Sequence, residues 1–458
     1  MGCDRPASRY ERGVTPTSPF QIRDYRAFWA ARLTSTIASV ALVVVIGLHV
    51  YDVARDAGMS IRDAAFWLGM IGLAQFLPLF LLTLVAGYVA DRIDRRWIVR
   101  ASLALELVSS AALALLSWQD AVTLPALFVV AVLIGVGRAF AGPALSSFAP
   151  NIVPAPLLPS AIALNSIAWQ TGAIGGPVVG GFLYAANPAW SYAVSAVLLA
   201  VAVGAFMIVR PIPRGNAGQS HPLRAVIEGL AYVRDNKIVL GAITLDLFAV
   251  LLGGATAMLP VYARDILQVG SEGLGWLRAA PAVGAALTAF VLARRPLSRN
   301  VGIKMFVCVA LFGVATVVFG YSRLLWLSLA SLAVLGAADM VSVYVRSSLI
   351  QLHTPDAMRG RVSAVSGLFI SASNELGEFR SGTFANWMGP VESVVVGGAL
   401  AVVVTGLCAW RFPQLRLADR FVAPEPKMVA QAGNKSFVDD GPPAMVAGLD
   451  IKAEKGKR

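Results

Sequence analysis

The chain has 458 residues, of which 57% are hydrophobic and 14% are charged, whereas soluble domains carry about 25% charged residues. A mean hydropathy of +0.69 leaves too little polar surface for a water-soluble fold. The formal net charge of +12 lies in short basic clusters between long apolar runs, which argues against a nucleic-acid partner. The composition therefore indicates a polytopic membrane protein.

The sequence lacks the residue patterns of metal, cofactor and nucleotide sites. Cys3, Cys308 and Cys408 are far apart and show no CxxC spacing, so neither a disulfide framework nor a metal site is predicted. A GxxxxGKS loop is absent, so ATP is not expected to be the energy source in this chain. Without a nucleophile, metal or cofactor constellation, we do not expect an enzyme, and we predict no cofactor.

Polar segments are predicted at the two ends of the chain. Residues 1–26 carry five arginines, and the apolar run that follows has no small-residue cleavage site. We therefore predict an uncleaved cytoplasmic N-terminal tail. Residues 413–458 are rich in Pro, Ala, Gly and Lys and lack apolar periodicity, so we predict a disordered cytoplasmic C-terminal tail.

Between the tails, apolar runs recur at lengths that suit membrane spans. A helix crosses a hydrocarbon core of about 30 Å with about 20 residues. We predict an all-α membrane protein with twelve transmembrane helices in two six-helix halves, residues 27–210 and 238–412. The predicted spans are 27–51, 64–90, 97–117, 122–142, 158–185, 189–210, 238–262, 271–293, 301–320, 324–347, 361–388 and 391–412.

The distribution of Lys and Arg predicts the orientation of these spans. The basic clusters all fall on one side of the twelve-span arrangement, together with both termini. On the other side, residues 118–123 hold only Asp120, and residues 185–191 carry no charge. By the positive-inside rule, both termini are cytoplasmic and the chain is a multi-pass protein of the inner (plasma) membrane.

The loop between spans two and three carries a pattern that positive charge alone does not explain. Gly87 permits close helix approach, and Asp91 suits pairing with an arginine or capping of a helix N-terminus. Arg92, Arg95 and Arg96 suit the anionic headgroup layer. We interpret these five residues as a gating motif; the alternative is an ordinary basic loop.

Span four contains an arginine within its helix, in Gly137-Arg138 followed by Gly142. A charge in lipid is costly unless it faces water or a partner acid, so Arg138 is a candidate functional residue. Because Arg138 lies near the cytoplasmic end of its predicted span, the alternative is that its side chain reaches the headgroups.

Span five is dense in small residues. Gly172, Gly176 and Gly180 recur every four residues, and Pro177 and Gly181 stand beside them. Such spacing creates a flat helix face, and a proline frees a carbonyl and bends the helix. We predict a hinge motif that forms an adjustable seam between the two halves; plain helix packing is compatible with the same pattern.

Residues 211–237 connect the two halves. Apolar residues recur at helical spacing after a Pro- and Gly-containing stretch, so we predict a linker with a membrane-surface helix. The segment 149–154 before span five resembles 353–356 before span eleven, at an offset of about 200 residues. This weak echo is typical of an internally duplicated transporter.

Several ionisable residues lie well inside predicted spans, where each needs water or a partner. They are candidates for proton coupling or for the substrate cavity: Glu106, Asp246, Asp339, Arg346, Glu375 and Glu378, together with Arg138. Asp246 lies about 12 Å along span seven and is our first choice for the coupling carboxylate. Spans ten and eleven suit a buried ion network; the alternative is a network that locks the second half. Glu106 has no evident partner.

These motifs resemble the major facilitator superfamily over about residues 20–415. The loop at 87–96 is similar to its GxxxDRxGRR signature, with Asp94 in place of the second glycine, and 172–181 matches its GxxxGPxxGG pattern. A closer likeness to the drug- and siderophore-efflux branch rests on short segments at 31–35, 221–224, 259–265 and 354–362.

The resemblance implies a mechanism. It implies that the loop at 87–96 is a latch between the halves and that Arg138 takes part in proton transfer. The span-five pattern is associated with antiporters and favours export. Many effluxers of this branch carry an acid early in span one, but residues 37–39 have none, so a proton carrier is expected elsewhere.

We therefore expect a monomeric secondary active transporter that exports a siderophore or a lipophilic drug by proton antiport through alternating access. The expected partners are a small-molecule substrate, protons and the lipid bilayer. The nearest alternative is a proton-coupled importer on the same fold. A non-transporting receptor or scaffold is the alternative from another class, and an intact latch motif argues against it.

Overall fold

A computed structural model describes residues 18–146, 148, 152–210 and 222–421, apart from some side chains within helices. The described chain is almost entirely helical. Its thirteen helices of fourteen or more residues are α1 (Arg23–Asp56), α2 (Ile61–Arg92), α3 (Arg95–Trp118), α4 (Leu124–Ser146), α5 (Leu158–Ala186), α6 (Pro188–Ile208), α7 (Pro222–Asp235), α8 (Lys237–Gly253), α9 (Gly270–Arg294), α10 (Val301–Tyr321), α11 (Leu325–Leu352), α12 (Asp356–Met388) and α13 (Pro390–Arg411).

All of these helices except α7 match a predicted span. Among the described residues, ten spans are long and apolar enough to cross a membrane, and α8 forms one of them together with the residues up to Ile266. The two remaining helices, α5 and α12, exceed the length of a span but are less apolar, because α5 is rich in glycine and α12 carries charges. They occupy the same position in the two halves, and the predicted all-α membrane fold is confirmed.

Exposed tryptophans mark the ends of the spans. They are Trp97, Trp118, Trp190, Trp276, Trp326, Trp387 and Trp410, each more than half exposed. Tryptophan prefers the interface between headgroups and hydrocarbon, so these side chains outline the two membrane faces. We call the face at which α1 begins and α13 ends the terminal face, and the opposite face the distal face.

The two halves, α1–α6 and α8–α13, repeat the same packing pattern. In the first half α1 packs on α5 and α6, and α2 packs on α4; in the second half α8 packs on α12 and α13, and α9 packs on α11. Between the halves α2 packs on α12 and α5 packs on α9. An added Cβ at Gly69 of α2 would lie 2.8 Å from the Cα of Gly382 of α12, so these two backbones nearly touch.

The span that begins with α8 is broken. The α-helix ends at Gly253, Ala255–Met258 forms a 3₁₀ turn, and Tyr262–Ile266 forms a π-helical turn that ends at the distal face. Adjacent glycines and Pro260, which lacks an N–H group, explain why a regular helix does not continue. We call residues 255–266 the distal segment.

The helix α7 lies on the second half at the terminal face. Its Val233 packs into an apolar cluster with residues of α8, α11 and α12, and Arg361 of α12 pairs with its Glu228 at 2.5 Å. The predicted surface helix is thus present as a helix, whereas residues 211–221 of the predicted linker lie outside the described residues.

Residues 413–421, which composition assigned to a disordered tail, are ordered. Pro413–Arg416 forms a helical turn with Leu415 buried. The Asp419 carboxylate accepts a hydrogen bond of 2.9 Å from the backbone of Asn300, just before α10. Composition missed this contact because a few residues that cap a neighbouring helix produce no apolar periodicity.

Candidate functional site

Two carboxylates of α12, Glu375 and Glu378, lie where the two halves meet. The Glu375 carboxylate is buried and accepts a hydrogen bond of 2.9 Å from Nη1 of Arg138 in α4. Because α4 belongs to the first half and α12 to the second, this ion pair joins the halves. At 1.5 Å per residue, Arg138 and Glu375 each lie about 20 Å from the distal end of their helix.

Glu378 lies one turn further along α12, against the backbone of α2. An added Cβ at Gly72 would lie 2.9 Å from Oε2 of Glu378. Arg278 of α9 is close enough for its charge to act on Glu378. The Arg278 Nε is buried and has no hydrogen-bond partner among the described residues, so this cation can still bind another group.

Glu106 completes the group from the side of the first half. Its carboxylate accepts a hydrogen bond from Ser39 of α1, and its Cγ lies 3.3 Å from the position of an added Cβ at Gly137. The sequence showed no partner for Glu106, and Ser39 was missed. Ser39 could have been predicted from its position early in span one, where related effluxers carry an acid. We call Glu106, Arg138, Arg278, Glu375 and Glu378 the central cluster.

Arg138 does not reach the headgroups. Its side chain is 30% exposed and points to Glu375 rather than along α4 to the terminal face. The alternative that Arg138 only reaches the headgroups is therefore wrong for this structure. A pair buried between the halves is the environment that a membrane-embedded arginine requires.

A second charged group lies inside the second half. Asp246 of α8 pairs with Arg346 of α11, and both side chains are less than one tenth exposed. Asp339 and Ser342 line, with Asp246, a cavity of about 10 Å³, which is room for one water molecule. We call Asp246, Asp339 and Arg346 the C-half cluster. The ionisable residues of spans ten and eleven thus enter two separate groups rather than one network.

The predicted gating motif is described only in part. The side chains of Gly87, Asp91 and Arg92 lie outside the described residues. Arg96 pairs with Asp94 at 2.7 Å, and the backbone N–H of Arg96 donates to the same carboxylate at 3.0 Å. The hydrogen bonds from Arg96 lower the pKa of the Asp94 carboxyl from its ordinary value. Asp94, at the position of the signature glycine, caps the N-terminus of α3. Arg95 lies in the first turn of the same helix.

Most of the predicted hinge glycines pack within one half. Added Cβ atoms at Gly172, Gly176 and Gly180 would lie 2.6, 2.9 and 3.1 Å from atoms of α1, which belongs to the same half as α5. The predicted seam between the halves is therefore wrong for these three glycines. Gly181 faces α9 of the other half, with 3.7 Å between its added Cβ and the Cα of Gly275. The reason is helical geometry, because glycines four apart share a face and the next residue points about 100° away. Pro177 lies inside α5, as predicted.

Ion pairs that the sequence analysis did not single out join the halves at the distal face. Arg264 of the distal segment pairs with Asp52 of α1 at 2.7 Å and with Asp56 at 2.5 Å. Arg55 of α1 pairs in turn with Asp265 at 2.9 Å. We call these five residues the distal ion-pair cluster. The opposite charges at the ends of spans one and seven could have predicted these ion pairs.

The distal ion-pair cluster borders a cavity of about 570 Å³, whose lining includes His49, Asp52, Tyr184 and Arg264. Asp52 also accepts a hydrogen bond of 2.6 Å from Tyr184 of α5. Within the described residues, no three His, Cys, Asp or Glu side chains are grouped so that they could hold a metal ion. The arrangement suits ion-pair exchange between two halves.

Comparison with known proteins places these features in a family. A model of the family described as transmembrane secretion effector matches residues 14–455. The enterobactin exporter EntS of Escherichia coli (strain SMS-3-5 / SECEC) is 23% identical over 410 residues, covering 89% of this chain and 95% of the exporter. Its namesake in Shigella boydii serotype 18 gives the same identity and coverage.

Solved structures show the same fold. A bacterial homolog to the human lysosomal transporter Spinster, in an inward-facing and unoccupied conformation, superposes with a TM-score of 0.68 at 16% identity, covering 90% of this chain and all of that one. A D-xylose–proton symporter gives a TM-score of 0.63 at 14% identity, with 85% of this chain and 97% of that one covered. The chain therefore belongs to the transmembrane secretion effector family and is a multi-pass membrane transporter of the major facilitator superfamily, not an enzyme.

Proposed function

We propose that this transporter exports a small organic molecule, a siderophore or a lipophilic drug, in exchange for protons by alternating access. In this proposal the protein acts as a monomer in the inner membrane, and the terminal face is cytoplasmic, as the Lys and Arg distribution favours. Neither a cofactor nor a nucleic acid takes part.

The observation that carries the proposal is the Arg138–Glu375 pair between the halves. Protonation of the Glu375 carboxylate removes the charge that pairs with Arg138 and weakens a contact that crosses the interface. A proton on Glu375 therefore favours a different arrangement of the two halves.

The other members of the central cluster give the released charges new partners. Glu378 follows Glu375 by one helical turn, and the charges of Arg278 and Arg138 act on it. Glu106 lies on the other side of Arg138, within reach of its charge. When Glu375 binds a proton, Arg138 remains charged and is stabilised by Glu106 and Glu378, so the cluster holds a proton without leaving a buried cation alone.

Alternating access also requires that the distal face opens. In the structure, this face is closed by the distal ion-pair cluster, and Asn386 of α12 donates a hydrogen bond of 3.3 Å to Asp63 of α2. These contacts join side chains from opposite halves, so separation of the halves at the distal face must break all of them. We propose that the structure represents the state that is closed at the distal face and accepts cargo from the terminal face.

Arg278 favours an acidic or catechol-bearing cargo over a lipophilic cation. Its Nε is buried without a hydrogen-bond partner among the described residues, and a guanidinium binds paired oxygens in a bidentate geometry. The relatives at 23% identity are named as exporters of enterobactin, and this agrees with a siderophore as cargo.

Inside-out vesicles with an acidic lumen test the direction and the driving force. We expect radiolabelled enterobactin, or ethidium for the drug alternative, to accumulate in vesicles that contain the protein and to leave when an ionophore dissipates the pH gradient. Absence of accumulation for both probes would contradict export. Accumulation only in right-side-out vesicles, driven by an inward proton gradient, would establish the importer instead.

A further inference from the structure

Arg380 of α12 is a partly buried cation that pairs with no carboxylate among the described residues. Its Nε donates a hydrogen bond of 2.9 Å to the backbone oxygen of Leu251, in the last turn of α8. Its Nη2 donates at 2.8 Å to the hydroxyl of Ser381, and the guanidinium lies 5.2 Å from the centre of the Phe384 ring. An unpaired charge in lipid is costly, so Arg380 requires an explanation beyond packing.

The position of Arg380 at the end of α8 supplies this explanation. The backbone oxygens in the last turn of a helix lack intrahelical partners and carry the negative end of the helix dipole. Because α8 ends before its span does, these oxygens need a donor inside the span, and Arg380 supplies one to Leu251. The Ser381 hydroxyl donates at 3.4 Å to the oxygen of Gly254, the first residue after the helix. Two consecutive residues of α12 therefore hold the break in the α8 span.

The distal segment connects this break to the distal ion-pair cluster, and α12 connects it to the central cluster. The distal segment begins directly after the break and ends at Arg264 and Asp265 of the distal ion-pair cluster. In the other direction, Arg380 follows Glu378 by two residues and Glu375 by five on one continuous helix. A displacement of α12 at the central cluster therefore moves Arg380, which is bonded to the origin of the distal segment.

We infer that Arg380 is a positioning residue that couples the central cluster to the distal ion-pair cluster by holding the broken end of α8 on α12. This inference rests on the proposed function. When the Arg138–Glu375 pair breaks, α12 shifts, and the distal segment follows because its first residues are bonded to Arg380. Without Arg380, the Arg138–Glu375 pair still breaks, but the distal face no longer responds.

Within the described residues, Arg138 pairs with Glu375, the charges of Arg278 and Arg138 act on Glu378, and Glu106 faces Arg138 from α3. A test must leave all of these in place except the one that it changes. Glu375→Gln mimics the protonated carboxyl and removes the cross-half ion pair at every pH. This variant therefore perturbs the central cluster at constant buffer pH, so the distal ion-pair cluster is not changed at the same time.

A double-mutant cycle with a distance readout tests the inference. Spin labels are attached in a Cys-free background at Ala57 and Gln268, which are exposed near the distal ion-pair cluster. Glu375→Gln is expected to increase the population with a long distance. We then compare the factor by which Glu375→Gln changes the ratio of long to short distances in the two backgrounds. In the Arg380→Gln background this factor is expected to be smaller by about fivefold or more, because fivefold is the lower range of an allosteric coupling.

Arg380→Lys and Arg294→Gln are the companion variants. Lysine keeps one charge and donates from a single nitrogen, so it should retain part of the response, and it decides the test if Arg380→Gln does not fold. Arg294 lies over Phe290 at the terminal face, 3.8 Å from the ring centre, and its loss should leave the response unchanged.

Two results would overturn the inference, and they are distinguishable. If Glu375→Gln shifts the distances equally with and without Arg380, Arg380 only stabilises the fold, and the proposed function is unaffected. If Glu375→Gln does not shift the distances in the otherwise unchanged protein, the coupling role of Glu375 fails together with the inference.

Discussion

Two arginine–carboxylate pairs within the spans differ in the helices they join and in the exposure of the arginine. Arg138 and Glu375 join α4 to α12, across the interface between the halves, at 2.9 Å. Arg346 and Asp246 join α11 to α8, inside the second half. A pair inside a rigid unit keeps its partners through a transport cycle, whereas a pair between two moving units must break and form again. The more deeply buried pair is therefore not the one that is better placed for coupling.

The surroundings of the two pairs agree with this division. Glu375, Glu106 and Glu378 all act on Arg138, and Arg278 acts on Glu378, so the central cluster contains alternative partners for the charge of Arg138. Among the described side chains, Arg346 and Asp246 pair with each other, and Asp339 lines the same cavity of about 10 Å³ as Asp246. We therefore propose Glu375, rather than Asp246, as the first choice for the proton carrier, and we propose that Asp246 locks the second half.

The largest expected effect follows from Glu375→Gln. Glutamine does not titrate, so we expect proton-driven accumulation of enterobactin in inside-out vesicles to fall by about 100-fold, the equivalent of about 3 kcal/mol of lost coupling. Exchange of labelled for unlabelled enterobactin at equal pH should persist, since exchange requires no net proton movement. Glu272→Gln, at an exposed glutamate in the first turn of α9, is the control. Undiminished proton-driven transport in Glu375→Gln would remove Glu375 from the mechanism.

The comparison predicts the opposite phenotype for Asp246→Asn. This change leaves Arg346 buried without its charged partner, so we expect the free energy of unfolding to fall by about 3–5 kcal/mol, measured by thermal unfolding in detergent. Proton-driven transport per folded molecule should be retained. The pair Asp246→Leu and Arg346→Met, made together, should recover most of the stability because no charge remains buried. If Asp246→Asn abolished coupling at unchanged stability, the roles of the two pairs would be reversed.

A glycine contact inside the first half gives a smaller effect. A Cβ at Gly176 would lie 2.9 Å from the backbone oxygen of Ile37, so Gly176→Ala should cost about 1–3 kcal/mol of stability through overpacking. At the adjacent Gly175 an added Cβ meets nothing within 4 Å, so Gly175→Ala is the matched control and should not lower the unfolding temperature. A Gly176→Ala protein of normal stability but altered proton coupling would show that the α1–α5 contact moves during transport.

The sequence predicted the helices far better than their contacts. Long apolar runs specify spans because lipid allows no unpaired backbone, and this constraint acts within each segment. The break at Gly254 and the partners of Arg138 depend on which helices are neighbours. Charge type predicted that Arg138 needs an acid, but four spans offered one, and only tertiary packing selects Glu375.

The same limit applies to the glycines and to Ser39. The spacing of Gly172, Gly176 and Gly180 specifies a flat helix face but does not identify the helix that lies on it. Ser39 is one of several hydroxyl-bearing residues in α1, and such a residue satisfies its own backbone as readily as it binds a distant carboxylate. Its value as the partner of Glu106 emerges only when α1 and α3 are adjacent.

The smallest effect concerns pairs that cross the interface but are exposed to solvent. The Arg264 side chain is 38% exposed, and its partners Asp52 and Asp56 are 34% and 69% exposed. Exposed pairs contribute about 0–1 kcal/mol each. Arg264→Gln removes two such pairs and should therefore increase the population open at the distal face by no more than about 30-fold. A cysteine replacing Val53, which lines the distal cavity, reports this opening through its rate of labelling by a membrane-impermeant maleimide.

Salt separates this effect from a general loosening of the structure. The pairs of Arg264 are screened at high ionic strength, so the labelling rates of the parent protein and of Arg264→Gln should converge as salt is added. Arg62→Gln, at an exposed arginine of the same face, should leave the rate unchanged. Equal rates for the parent and Arg264→Gln at low salt would mean that the distal pairs do not hold this face closed. The closure would then depend on the close backbone contact of Gly69 with Gly382.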